Sequence, residues 1–214
     1  MLSIYFGSDL PILLYEYACL LTGFLLIAAV FFICRVGMQG ERRSAVNLLF
    51  VLAFGVYIGM VFDVTGSGTL YELLRSGLDL RSINLIPFSD DSIDRVGYIL
   101  NVVMLVPLGF LVPFLWRGTR KLWKVTAIGA GLSVLVELSQ LLNFRSTDVD
   151  DVLLNTLGAM IGYGLWRLYA RIIPWDPGKA GRFFQEGFCY IAVIFLGKFF
   201  FYNEMALAAR IYGF

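Results

Sequence analysis

The chain has 214 residues, of which 59% are hydrophobic and only 15% charged, and its formal net charge is +1. An ordinary soluble domain carries roughly 25% charged residues, so a mean hydropathy of +0.78 excludes water as its main solvent. The near-neutral balance, with Lys and Arg scattered through short connections, excludes a nucleic-acid-binding surface.

Apolar runs long enough to cross a hydrocarbon core of about 30 Å as helix recur along the whole chain and leave no room for a sizeable soluble domain. One membrane domain over 1–214, all-α and polytopic, is the expectation. Residues 1–10 hold no Lys or Arg and lack the basic flank of a cleaved signal peptide, so the first helix is expected to stay. The runs predict transmembrane helices at 11–34, 45–62, 96–116, 122–142, 151–173 and 187–202. The last is the shortest and carries Lys198, so five crossings with an interfacial tail is the alternative topology.

Orientation follows from the positive-inside rule. The first, third and fifth connections hold eleven Lys and Arg, whereas the N-terminus, the second and fourth connections and the C-terminus together hold five. Both termini are therefore expected outside. Only the second connection is long. Within it, 70–80 places Leu70, Leu73, Leu74 and Leu78 at helical spacing opposite Glu72, Arg75 and Asp79, which predicts a short helix lying on the outer leaflet. The stretch 84–88 follows, where the residue before Pro87 is pushed to extended geometry, and an apolar loop dipping back toward the bilayer is expected there.

Histidine is absent, which leaves carboxylates, Lys, Tyr and Arg for any chemistry. Cys19, Cys34 and Cys189 are odd in number and widely spaced, so they read as packed thiols rather than a disulfide framework or a zinc site. The intramembrane polar residues, in contrast, gather by depth. Asn101, Glu137 and Asn155 each fall roughly 6–8 Å in from the outer helix ends at about 1.5 Å per residue. Glu16 and Lys198 fall at similar depth and read as a helix-to-helix pair or as snorkelling groups. Asn47 is the lone amide near the inner end.

Two stripes follow from spacing. Gly129, Ser133, Glu137 and Gln140 share one face of their helix, and Asp148, Asp151, Asn155, Gly158 and Gly162 share one face of the next. The two are expected to pack against each other. The connection between them carries Arg145, whose guanidinium has Glu137, Asp148 and Asp151 within its expected reach. A plainer reading stands beside this one. Asp148 and Asp151 suit a helix N-cap and first turn, Glu137 and Arg145 suit a structural ion pair, and the amides suit interhelical hydrogen bonding.

Four elements in order, Asn84 to Phe88, Asn101 through Pro107 to Gly109, Glu137 with Gln140, and Arg145 with Asp148, Asp151, Asn155 and Gly158, resemble the VanZ-like membrane family over 45–173. The helices at 11–34 and 187–202 are accessory to that core. The family is named for a protein of glycopeptide-resistance clusters that gives low-level teicoplanin resistance. The resemblance implies a polar signature on Asn84, Asn101, Glu137, Gln140, Arg145, Asp148, Asp151 and Asn155, and leaves out Asp150, where variation is expected.

These readings support three functions. One is an outer-leaflet transferase or hydrolase acting on a lipid head group, with Glu137 or Asp151 as base, Arg145 on a phosphate and the amides orienting it. Another is a non-catalytic protein that holds a membrane lipid, a polyprenyl-linked cell-wall precursor or a lipoglycopeptide at the same place. A transporter ranks last, because the inner half of the bilayer is nearly all apolar. No cofactor is identified and no residue is assigned to metal. Clustered carboxylates also suit a divalent cation such as magnesium, so that option and an arginine-neutralised site both stand. The bacterial cytoplasmic membrane is the expected location, and the oligomeric state is open.

Overall fold

A computed structural model describes residues 2–39, 45–76, 83–89, 95–142, 147–174 and 186–203. The chain folds as α1 (Leu2–Gln39), α2 (Ala45–Val64), α3 (Leu70–Ser76), β1 (Ile83–Asn84), α4 (Arg95–Leu115), a 3-10 turn (Arg117–Thr119), α5 (Leu122–Gln140), β2 (Thr147–Asp148), α6 (Val149–Ile172) and α7 (Gly187–Phe201). The helix expected at 11–34 is thus part of a longer one that runs through Pro11. The short helix in the second connection covers Leu70, Leu73 and Leu74, whereas Leu78 and Asp79 lie outside the described residues. Thr69 starts it with a reciprocal cap: its backbone N–H donates to Glu72 Oε2 at 2.8 Å and the Glu72 N–H donates to Thr69 Oγ1 at 3.3 Å.

Three helices are long and apolar enough to cross a membrane, at Leu14–Phe31 within α1, Arg95–Leu115 and Leu122–Gln140. Leu48–Val64 and Gly187–Phe201 are shorter apolar helices, and α6 has the length but carries Asp150, Asp151, Arg167 and Arg171. The molecule is accordingly a helical membrane protein.

The helices pack as two groups of three. In one, α6 lies between α4 and α5, and its interface with α4 is the most extensive among the described residues. In the other, α7 lies against α1 and α2. The groups join where Tyr57 of α2 donates its hydroxyl to Met104 O of α4 at 2.7 Å, and where Phe50 and Phe54 pack edge-on against Phe114 and Trp116. A buried Glu186 at the start of α7 adds a further tie, accepting from Tyr190 Oη at 2.7 Å and Trp116 Nε1 at 3.4 Å.

Close approach between α4 and α6 has a definite cause. A Cβ added at Gly109 would meet Ala159 O, at Gly158 it would meet Val102 O, and at Gly162 it would meet Val106 O. Three absent side chains thus let two backbones touch, the small-residue packing that replaces the hydrophobic effect inside a bilayer. The stripe expectation needs correcting here. Gly158 and Gly162 face α4, and the contacts of α6 with α5 are made instead by Asn155 with Ser133 and by Ala159 against Gly129.

Glu16 and Lys198 do form the helix-to-helix pair. Lys198 Nζ lies 2.6 Å from Glu16 Oε1 and 3.8 Å from Asp63 Oδ1, and donates to Phe62 O at 3.0 Å. Both partners of the closer pair are buried, so removing one strands the other.

Two outcomes are expected in thermal unfolding of the detergent-solubilised chain. Gly158→Leu and Gly162→Leu each lose about 2 kcal/mol or more from overpacking, while Gly164→Ala, where an added Cβ meets nothing within 4 Å, shifts stability by less than about 1 kcal/mol. Lys198→Met costs about 3–5 kcal/mol, and the double variant with Glu16→Gln recovers most of that loss. A loss in the double variant equal to that of Lys198→Met alone would refute the pairing.

Candidate functional site

The first carboxylate at the start of α6 is a cap. Asp148 sits in extended geometry, and its side chain accepts from the Asp150 N–H at 2.9 Å, so the plain reading of this residue is correct. Its other oxygen accepts from Asn84 Nδ2 at 3.2 Å. The backbones of the two segments pair as well, in a parallel two-residue bridge that sets Ile83 beside Thr147 and Asn84 beside Asp148. Asn84 Oδ1 then accepts from the Ile86 N–H at 3.1 Å, the Asx turn that bends the chain into 84–88.

Asp150 holds that loop. Its carboxylate accepts from the Phe88 N–H at 2.9 and 3.1 Å and from Tyr98 Oη at 2.7 Å, and the residue is 2% exposed. Phe88 has a φ of 53°, left-handed backbone that a bulky residue adopts only when its surroundings enforce it. Sequence reasoning set Asp150 aside. The available signal was three acids within four positions at one helix start, more than a cap and a dipole require. The loop itself is expected as a dip toward the bilayer. The structure docks it on the start of α6 and leaves Leu85, Ile86 and Phe88 exposed.

Asp151 belongs to the core of the candidate site. It accepts from Asn101 Nδ2 across the α4–α6 interface and is half-buried. Glu137, at the end of α5, is buried and accepts from the Asp148 N–H at 3.0 Å through Oε2, while its backbone carbonyl accepts from Thr147 Oγ1 at 3.1 Å. One turn deeper, Asn155 Nδ2 donates to Ser133 Oγ at 2.9 Å. Gln140 turns elsewhere, donating to Thr65 O beyond α2 at 2.9 Å. Thus Asn84, Asn101, Glu137, Asp148, Asp151 and Asn155 converge at one end of the α4–α5–α6 group, Gln140 ties that end to α2, and Arg145 lies outside the described residues.

The donor and acceptor balance of this layer is uneven. The amide nitrogens of Asn84, Asn101, Gln140 and Asn155 are all engaged within the protein. Among the described residues, Gln140 Oε1 and Asn155 Oδ1 are buried with no hydrogen-bond partner, and the carboxylates add further acceptors. A buried acceptor left unpaired costs about 1–3 kcal/mol. No group of three or more Asp, Glu or Cys with metal-binding geometry occurs among the described residues.

Asp150→Ala removes the acceptor for the Phe88 N–H and Tyr98 while leaving the Asn84–Asp148 pairing in place, and is expected to destabilise the chain by about 1–3 kcal/mol. A cysteine placed at Ser89 then reacts faster with a water-soluble maleimide, while Tyr98→Phe gives a smaller change in the same direction. An unaltered labelling rate in Asp150→Ala would show that the loop is held by other contacts.

Searches of curated proteins and of solved structures returned no match. The VanZ/LLP1 family, in contrast, matches residues 48–170, from α2 through α6, the stretch that contains every converging side chain described above. The match covers more than half of the 214 residues, and the chain belongs to the VanZ/LLP1 family.

Proposed function

We propose that the chain spans the bacterial cytoplasmic membrane six times with both termini outside, and that the polar layer is an outer-leaflet site for the head group of a lipid-linked envelope component. A polyprenyl-linked cell-wall precursor or a lipoglycopeptide is the class of ligand meant. Glycopeptide tolerance, the context of the family's name, is the expected phenotype.

The observation that carries this reading is the surplus of acceptors. Among the described residues the buried Asn155 Oδ1 has no hydrogen-bond partner, and one turn along α6 a half-buried Asp151 lies at the end of the bundle that also holds Glu137 and Asp148. Sugar hydroxyls and amines supply the donors such a layer lacks, and Arg145 is the residue suited to a phosphate or carboxylate on the same head group. Asp151 is engaged by a side-chain amide rather than by backbone, which favours it over Glu137 as a general base if a head-group bond is cleaved or transferred. Glu137 has an oxygen committed to the Asp148 N–H. The gathering of the intramembrane amides with Glu137 and Asp151 at one end of the bundle speaks against alternating access.

The test uses the full chain in nanodiscs, with a lipid-linked wall precursor and a lipoglycopeptide as probes. A binder shows no turnover, and Asp151→Asn and Arg145→Ala each weaken affinity by about tenfold. An enzyme loses turnover in Asp151→Asn with affinity kept within a few fold. No binding of either probe by the unaltered chain, or full binding by both variants without turnover, rejects the site.

A further inference from the structure

A groove of about 570 Å³ runs between α5 and α7, and none of Gly129, Ser133, Glu137 and Gln140 lines it. It exists because the two groups of helices join through α2 and α4, while α5 and α7 do not close on each other. Its lining on α5 follows a single face through Ala127, Gly131, Leu135 and Leu138, and α7 contributes Phe188 and Phe195. From Lys124 to Leu138 it extends about 21 Å at 1.5 Å per residue, more than one leaflet of a core about 30 Å thick.

The lining selects the occupant. Apart from Lys124, every residue facing the groove is apolar or aromatic, the kind of surface against which an extended hydrocarbon chain packs. Charge selects the head group. Lys124 is the one charged side chain lining the groove, and it stands at the end opposite the polar layer, 5.6 Å from the Trp123 ring centroid. Its ammonium donates to Gly118 O at 2.7 Å and has further protons to give. Arg117, Arg120 and Lys121 immediately precede it, and no acid occurs between positions 117 and 136. Arg120 turns toward α4 and α6, donating to Pro113 O at 3.0 Å with its guanidinium 5.5 Å from the Trp166 ring, so it is Lys124, with an interfacial tryptophan beside an apolar slot, that matches an anionic lipid.

We propose that the seam between α5 and α7 binds one acyl chain of an anionic membrane phospholipid whose head group rests on Lys124. The lipid seals the accessory helices against the core. Gly131 is the natural place to test this, since an added Cβ there meets nothing within 4 Å and a larger side chain grows into the groove instead of into protein.

The full chain is exchanged into micelles carrying phosphatidylglycerol or phosphatidylcholine with identical chains, and retained lipid is counted by native mass spectrometry. The unaltered chain is expected to keep one phosphatidylglycerol, and Gly131→Phe to lose it with helical content unchanged. Lys124→Glu should lower the preference over phosphatidylcholine by about fivefold or more, the equivalent of about 1 kcal/mol per basic residue. A second measurement leaves the groove unaltered: phosphatidylglycerol brominated on its chains quenches Trp123 fluorescence more than brominated phosphatidylcholine does, and the difference disappears in Trp123→Phe. Equal quenching by the two lipids, equal retention in Gly131→Phe, or a Gly131→Cys disulfide between two copies would each overturn the proposal.

Discussion

The contact of the α4 backbone with the α6 backbone is the constraint from which the rest follows. It depends on side chains that are missing at Gly109, Gly158 and Gly162, each of which faces a carbonyl or backbone atom of the other helix. Inside a bilayer no hydrophobic gain separates one apolar surface from another, so fit and hydrogen bonding decide which helices associate. Once the two are in contact, Asn101 meets Asp151, and the start of α6 is fixed at the level where the 83–89 loop passes. Its other face, with Asn155 and Ala159, is then free to receive α5.

A second cluster shares that end of the bundle. Glu16, Asp63 and Lys198 join α1, α2 and α7, and the segment just after α2 connects them to the candidate site. Phe62 O accepts from Lys198, Thr65 O accepts from Gln140, and Gly68 lies against Ser139 O. Carbonyls at the end of a helix lack intrahelical partners, and here they are satisfied by side chains from two different groups. The accessory helices are therefore tied to the family core by hydrogen bonds at one end and by Glu186 with Trp116 at the other. Between these ties, the α5–α7 seam stays open.

Much of this was legible beforehand. Helix positions follow from apolar length, and the polar layer from depth along each helix. Glu16 and Lys198 read as a helix-to-helix pair or as snorkelling groups, because either charge left alone in hydrocarbon is expensive, and the structure selects the pair. What stayed hidden has physical reasons. The Ile83–Asn84 bridge to Thr147–Asp148 is two residues long, too short for any periodicity to register. Gly158 and Gly162 were assigned to the α5 side because spacing groups residues on a face without naming the neighbour, and α6 has two neighbours. Asp150 was passed over because a single sequence does not distinguish an acid that caps a helix from one that reaches 62 positions back to hold a loop.

The division of labour among the acids bears on what the site does. Asp148 is occupied by the Asp150 N–H and by Asn84, Asp150 by the Phe88 N–H and Tyr98, and Glu137 by the Asp148 N–H. Each of the three accepts from at least one main-chain N–H, so none of them releases all of its partners without moving backbone. Asp151 differs, since its bond is to the Asn101 side chain, and a rotation of either group releases it. A ligand that brings its own donor competes with one amide rather than with the fold. The three fixed acids build the framework, and Asp151 is the position where chemistry or recognition enters at least structural expense.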